Sequence, residues 1–187
     1  VAPPAHDLRL QAEQRARVLI DRQLTDAGWA VQDRGDLNLF VASGVAVREA
    51  IMAKGHGRVD YLLYVEQRVV GVIEAKPEGT PLSGVEWQSA MYADGLPPAV
   101  RLKALTQDGR LPFVFGASGS ETHFTNGFDP RPRARRIFAF PQPGTLARIV
   151  RDAEPPFSRL HGVTRGIGMT ALWIVLCAVM VVRGLRS

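Results

Sequence analysis

The chain has 187 residues, of which 46% are hydrophobic and 22% charged, ordinary globular usage that excludes a disordered or collagen-like chain. That length suits one domain able to bury its own core. The formal net charge of +5 is compatible with a polyanionic partner without requiring one, and a single cysteine, Cys177, excludes an internal disulfide and a cysteine-built zinc site.

Val1 to Asp7 hold no apolar signal-peptide core, so a reducing, cytoplasmic setting is the expectation. Residues 8–27 read as an amphipathic helix, with Asp7 as N-cap and Gly28 as C-cap. Ala12, Ala16, Leu19, Gln23 and Ala27 share one face, joined by Ile20 and Leu24, with Glu13 at its border. Trp29 to Val31 begins an extended piece and residues 35–44 read as loop. Val45 to Met52 reads as a strand, followed by a turn through Lys54, Gly55, His56 and Gly57.

Two strong strand signals follow, Val59 to Val65 and Val69 to Ala75, forming the clearest hairpin in the chain. Pro77 to Pro81 breaks it. A helix is predicted from Ser83 to about Asp94, stopped by Gly95 and Pro97. Leu111 to Ala117, a short piece around His123, and Arg136 to Phe140 read as strands. Pro143 to Asp152 reads as a helix ended by Pro155 and Pro156. The order implies an α/β fold with helices flanking a central mixed sheet. It also implies a domain over 1–155 and a separate tail over 156–187.

The chemistry concentrates in the hairpin. Asp60 lies on its first strand, and Glu74-Ala75-Lys76 ends its second. Apolar strands seldom carry carboxylates, because a buried unpaired charge costs several kcal/mol. Two carboxylates at adjoining strand ends call for a cation, and Mg²⁺ takes oxygen ligands. Alternation points Glu74 and Lys76 the same way. Asp60 joins them only if Glu66-Gln67-Arg68 forms a three-residue loop, or if a bulge near Asp60 shifts the register. Asp60, Glu74 and the Ala75 carbonyl then hold the metal. Lys76 orients an attacking water or offsets charge at phosphorus, as phosphodiester hydrolysis needs. Asp…Glu-x-Lys alone is also the pattern of an ordinary strand-end ion pair. Gln88 and Tyr92, four apart on the next helix, and Glu13 on the first helix could support the site.

These residues come in a familiar order. Gly57-Arg58-Val59-Asp60-Tyr61-Leu62-Leu63-Tyr64 and Gly71-Val72-Ile73-Glu74-Ala75-Lys76 resemble the N-terminal nuclease domain of type I restriction enzyme R subunits, in the PD-(D/E)xK class. So do Val45-Ala46-Val47-Arg48-Glu49, Gln88-x-x-x-Tyr92, Leu111-Pro112-Phe113-Val114-Phe115, His123-Phe124-x-Asn126 and Arg135-Arg136-Ile137-Phe138. The resemblance spans roughly residues 10–150. It implies a restriction-endonuclease-like core and a Mg²⁺-dependent endonuclease acting on double-stranded DNA, with Asp60, Glu74, Lys76, Gln88 and Tyr92 as nuclease residues. Glu13 matches the first-helix acid. Specificity and methylation subunits are the implied partners. The ATP-driven motor of that family is not supported, because no G-x-x-x-x-G-K-[ST] loop occurs in the sequence.

Arg58, Arg133, Arg135 and Arg136, with Arg131, are candidate phosphate contacts. Gly116, Ser118 and Gly119 read as a plain turn rather than an anion nest, and His56 and His123 lack zinc-type spacing. Residues 167–182 carry no charge between Arg165 and Arg183, about 16 residues against the roughly 20 that span a bilayer. The run reads as a truncation remnant, a core helix or a short membrane helix, with membrane association disfavoured. The alternatives to a nuclease are a DNA-binding module without catalysis and a membrane-tethered protein with a degenerate nuclease fold.

Overall fold

The computed structural model describes residues 5–82 and 89–154. The chain divides into two units, residues 1–148 and 149–187, and the described part of the second is residues 149–154. The apolar run at 167–182, with Cys177, lies outside the described residues, as does Gln88.

Helix α1 (Ala5–Asp26) opens the fold. It starts before the expected N-cap, so Asp7 lies inside the helix. Its C-terminus follows the expectation. Gly28 takes φ +85°, the Gly28 N–H donates to Thr25 O at 2.9 Å and the Trp29 N–H to Leu24 O at 3.0 Å. That is a Schellman ending, which needs a left-handed residue. The buried stripe is Ala16, Ile20, Leu24 and Ala27. Leu19, expected in it, is 47% exposed. The stripe is therefore rotated toward Ile20 and Leu24, whose side chains are wholly buried and each contribute about 2 kcal/mol of transfer free energy.

The seven described strands form one mixed sheet in sequence order. They are β1 (Ala30–Asp33), β2 (Gly44–Ile51), β3 (Arg58–Val65), β4 (Arg68–Ala75), β5 (Phe113–Ala117), β6 (Thr122–Asn126) and β7 (Arg135–Ile137). β1 with β2 and β4 with β5 are parallel, and the other neighbours are antiparallel. A single 3-10 turn at Arg34–Asp36 begins the β1–β2 connection. α2 (Ser89–Gly95) and α3 (Pro98–Arg101) lie between β4 and β5, and α4 (Pro143–Ala153) follows β7. The short α3 has no counterpart in the sequence reading, and β7 is shorter than expected.

Strand alternation separates two faces. Leu62, Tyr64, Val69, Val72 and Val114 pack in one cluster with Tyr92 of α2 and Leu96 just after it. Tyr61, one residue from Leu62, turns to the other face, where its hydroxyl donates to Asp21 of α1 at 2.8 Å. The two helices therefore cover opposite faces of the sheet. Phe115 stacks on Phe124 at 4.6 Å and lies 5.5 Å from Phe140, extending the core beyond α1.

The β3–β4 hairpin departs from the expected loop. Val65 pairs with Arg68, so the loop has two residues, Glu66 and Gln67. Both have positive φ, 49° and 66°, the backbone of a type I′ turn. Neither is Gly or Asn, so the surrounding strands impose the turn. A two-residue loop by itself would set Ile73 opposite Asp60. The register shifts between Leu63 and Tyr64, however, where Tyr64 pairs with Val69 and Leu63 with Gly71. Val70 is the extra residue of a β-bulge. Beyond it Leu62 pairs with Val72 and Tyr61 with Ile73. The next step of that register sets Asp60 opposite Glu74. The parity that this juxtaposition needs comes from a bulge beside the turn, not from a longer loop.

Candidate active site

Asp60 and Glu74 lie at the same end of the sheet, near the start of β3 and the end of β4. Their side chains are 15% and 13% exposed, so both carboxylates are largely withdrawn from water. Each compensates with partners. Asp60 Oδ2 accepts the Ala75 N–H at 2.9 Å, and Asp60 Oδ1 accepts Arg17 Nη2 of α1 at 2.6 Å. Glu74 Oε1 accepts the Tyr92 hydroxyl of α2, and Lys76 Nζ stands 3.4 Å from Glu74 Oε2. Lys76 is 35% exposed, the most open member of the set.

Tyr92, expected to support the site, does so through Glu74. It is 5% exposed and spends its proton on Glu74. Burial pushes its hydroxyl well above the usual phenol range, and the Glu74 hydrogen bond and the negative charges of Glu74 and Asp60 push the same way. It stays a neutral donor at any physiological pH.

Glu13 is half-buried on α1, one turn before Arg17 and on the same helical face. Arg58 is about half exposed and its Nη1 lies 3.3 Å from Glu49 Oε2. Arg133 is exposed. Arg135 pairs with Asp129 at 3.0 Å and Arg136 with Glu121 at 3.5 Å. β7 lies three strands from β4, about 14 Å across the sheet at the usual strand spacing. His123 bonds Glu121 at 3.1 Å. The Ser118 N–H donates to Glu121 O at 2.9 Å, the turn expected there.

Two residues of the site were not singled out from the sequence. Arg17 holds Asp60 and also Glu49, whose Oε1 is 3.0 Å from Arg17 Nη1. Burial works against the Arg17 charge, but the Asp60 charge and hydrogen bond, with Glu49, outweigh it and hold the guanidinium above its ordinary range. Glu49 lies inside β2 with φ +50°, a left-handed conformation in a strand interior. The one available signal for Arg17 was its place four residues after Glu13. Deeper on the α1 face, Arg48 is clamped by Asp21 and Asp33 at 3.0 Å each, with the Tyr61 hydroxyl on Asp21.

The donor chemistry suits a hard divalent cation. Asp60 and Glu74 supply oxygens from neighbouring strands. The Ala75 carbonyl faces the same neighbour as its N–H, because both groups of a strand residue point to one side. Each carboxylate oxygen keeps a second lone pair beyond its present partner. Mg²⁺ takes one or two carboxylates and completes its shell with water and phosphate oxygens. Among the described residues no cluster of three or more His, Cys, Asp or Glu is placed to cage a metal, so a closed zinc-type site does not fit.

No protein-family model and no curated protein sequence matches the chain. Among solved structures it is similar to a fragment described as an HsdR subunit of a type I restriction enzyme from Vibrio vulnificus YJ016, at 21% identity and TM-score 0.47, over 74% of this chain and 25% of that one. It is also similar to the type IIG restriction endonuclease BpuSI, at 10% identity and TM-score 0.38, over 65% of this chain and 13% of that one. The chain thus spans a quarter or less of either protein. Among the described residues no helix is long and apolar enough to cross a membrane.

Proposed function

We propose that this chain is a divalent-metal-dependent DNA endonuclease domain of the PD-(D/E)xK class, related to the nuclease domain of type I restriction R subunits. The observation that carries this reading is the register across the bulge. Carried one step past the Tyr61–Ile73 pair, it places Asp60 opposite Glu74, with Lys76 3.4 Å from Glu74, at one strand end.

Asp60, Glu74 and the Ala75 carbonyl are the residues that would hold Mg²⁺, which when bound polarises a phosphoryl oxygen and makes water a better nucleophile. Tyr92 fixes the Glu74 carboxylate from below, so that its second oxygen is presented rather than free to rotate. Lys76, partly open to solvent, places a positive charge where charge builds on the phosphodiester and can hold the attacking water. Arg58, on the same strand end as Asp60, offers a phosphate contact. Arg136, across the sheet in register with His123, extends a basic track toward β7. The specificity and methylation subunits of a restriction complex are the partners this reading implies.

The test is nicking of supercoiled plasmid in Mg²⁺ by the intact chain and by D60N, E74Q and K76A. The expected result is cleavage by the wild type alone. Salt-dependent DNA binding with no cleavage at any metal concentration would replace this reading with that of a DNA-binding module.

A further inference from the structure

We propose that Arg17 is a built-in competitor for the metal site, and that Glu49 is the place to which it withdraws when a divalent cation takes Asp60. The inference rests on the nuclease reading above and concerns how that site is loaded.

Arg17 is shared between two acids. Nη2 lies 2.6 Å from Asp60 Oδ1, and Nη1 lies 3.0 Å from Glu49 Oε1. A guanidinium fork is rigid and always charged, so it can bridge two carboxylates or turn wholly to one. The Arg17 Nε is buried and has no acceptor among the described residues. The present grip therefore leaves one of the guanidinium donors unused. Lys76 meanwhile stands on Glu74. Each acid of the candidate metal pair already has its own cation, and a divalent ion arriving at Asp60 meets a positive charge in direct contact with its ligand.

Glu49 supplies the second, independent observation. Arg48 pairs with Tyr61 and Ala50 with Val59, and Glu49 and Asp60 occupy the position between these two pairs. Glu49 nevertheless has φ +50°. A non-glycine residue in that conformation is strained, and such strain persists where the surrounding structure imposes it, often at functional sites. Here the carboxylate is brought to Arg17 on one oxygen and Arg58 on the other. It is 45% exposed, more open than Asp60, so it has room to take the full guanidinium.

The exchange makes opposite demands on the two partners. Removing Arg17 frees Asp60 and tightens metal binding. Neutralising Glu49 leaves Asp60 as the sole anchor of Arg17 and weakens metal binding. A purely structural role for the pair would not move affinity in opposite directions.

The experiment is Mn²⁺ binding to the full chain by isothermal titration calorimetry, for wild type, R17M and E49Q, with metal-free thermal unfolding to establish that each variant folds. A charge-assisted hydrogen bond to Asp60 predicts about tenfold tighter binding in R17M and about tenfold weaker binding in E49Q. Equal or weaker binding in folded R17M overturns the competition and leaves the metal site standing. If R17M does not fold, E49Q decides, and affinity equal to or above wild type overturns the competition. No Mn²⁺ binding by any folded variant removes the metal site, and the nuclease reading with it.

Discussion

Tyr92 donates its phenolic proton to Glu74 Oε1 from the interior of the core packed between α2 and the sheet. The contact ties the helix that covers one face to the acid at the end of β4. In Y92F Glu74 keeps its burial and loses the donor on Oε1, so the expected cost is about 1–3 kcal/mol of stability. Urea unfolding of wild type and Y92F measures it. Plasmid cleavage should fall at the same time, because the Glu74 carboxylate, held in the wild type by Tyr92 and Lys76, is then held by Lys76 alone of these two partners. Unchanged stability together with unchanged cleavage would show that the hydroxyl supports nothing.

Lys76 should separate catalysis from stability. It is partly exposed, and an ion pair of that kind contributes about 0–1 kcal/mol. K76A is therefore expected to unfold within about 1 kcal/mol of wild type and to lose about 100-fold or more in cleavage rate, as when a preorganised charge is removed from a transition state. Chemical denaturation and single-turnover nicking check the two halves separately.

All three tyrosines, Tyr61, Tyr64 and Tyr92, have hydroxyls raised above the ordinary phenol range, chiefly by burial, with Asp21 adding at Tyr61 and Glu74 at Tyr92. A folded pKa above the unfolded one means the folded state holds the proton more tightly. The stability so contributed is complete below about pH 10 and is lost as pH rises above it, at about 1.4 kcal/mol per pH unit per tyrosine. Absorbance near the tyrosinate band and circular dichroism, followed from about pH 9 to about pH 12, should therefore change together. Tyrosinate appearing while the fold is intact would contradict this burial.

Gly71 sits next to the bulge, and a Cβ there would stand 2.2 Å from the backbone oxygen of Phe113. Strand β5 would have to move away from β4. G71A is expected to cost about 2–4 kcal/mol, in the range of a backbone clash in a packed core. Thermal or urea unfolding measures it, and a cost below about 1 kcal/mol would mean that the sheet spreads easily there.

Much of the fold was legible in the sequence because it depends on local patterns. Short apolar runs rich in β-branched and aromatic residues marked β2 to β5, and Gly28 marked the end of α1. Asp60, Glu74 and Lys76 stood out because charged residues at the ends of apolar strands need a reason. The rotation of the α1 stripe toward Ile20 and Leu24 was not legible, since Leu19 and Ile20 are equally apolar and the sheet's shape selects between them. Arg17 and Glu49 were hidden for a similar reason. An arginine on an amphipathic helix and a glutamate in a strand are unremarkable until two distant segments are brought together.

The sequence alone determined which residue types could form the site and which strands carry them, because composition and period two are local properties. The tertiary structure decided whether Asp60 and Glu74 meet. The sheet imposed positive φ on Glu66 and Gln67 and then restored the parity with one extra residue at Val70. That outcome depends on β3 and β4 each being committed to neighbours on both sides, a constraint no window of a single strand contains.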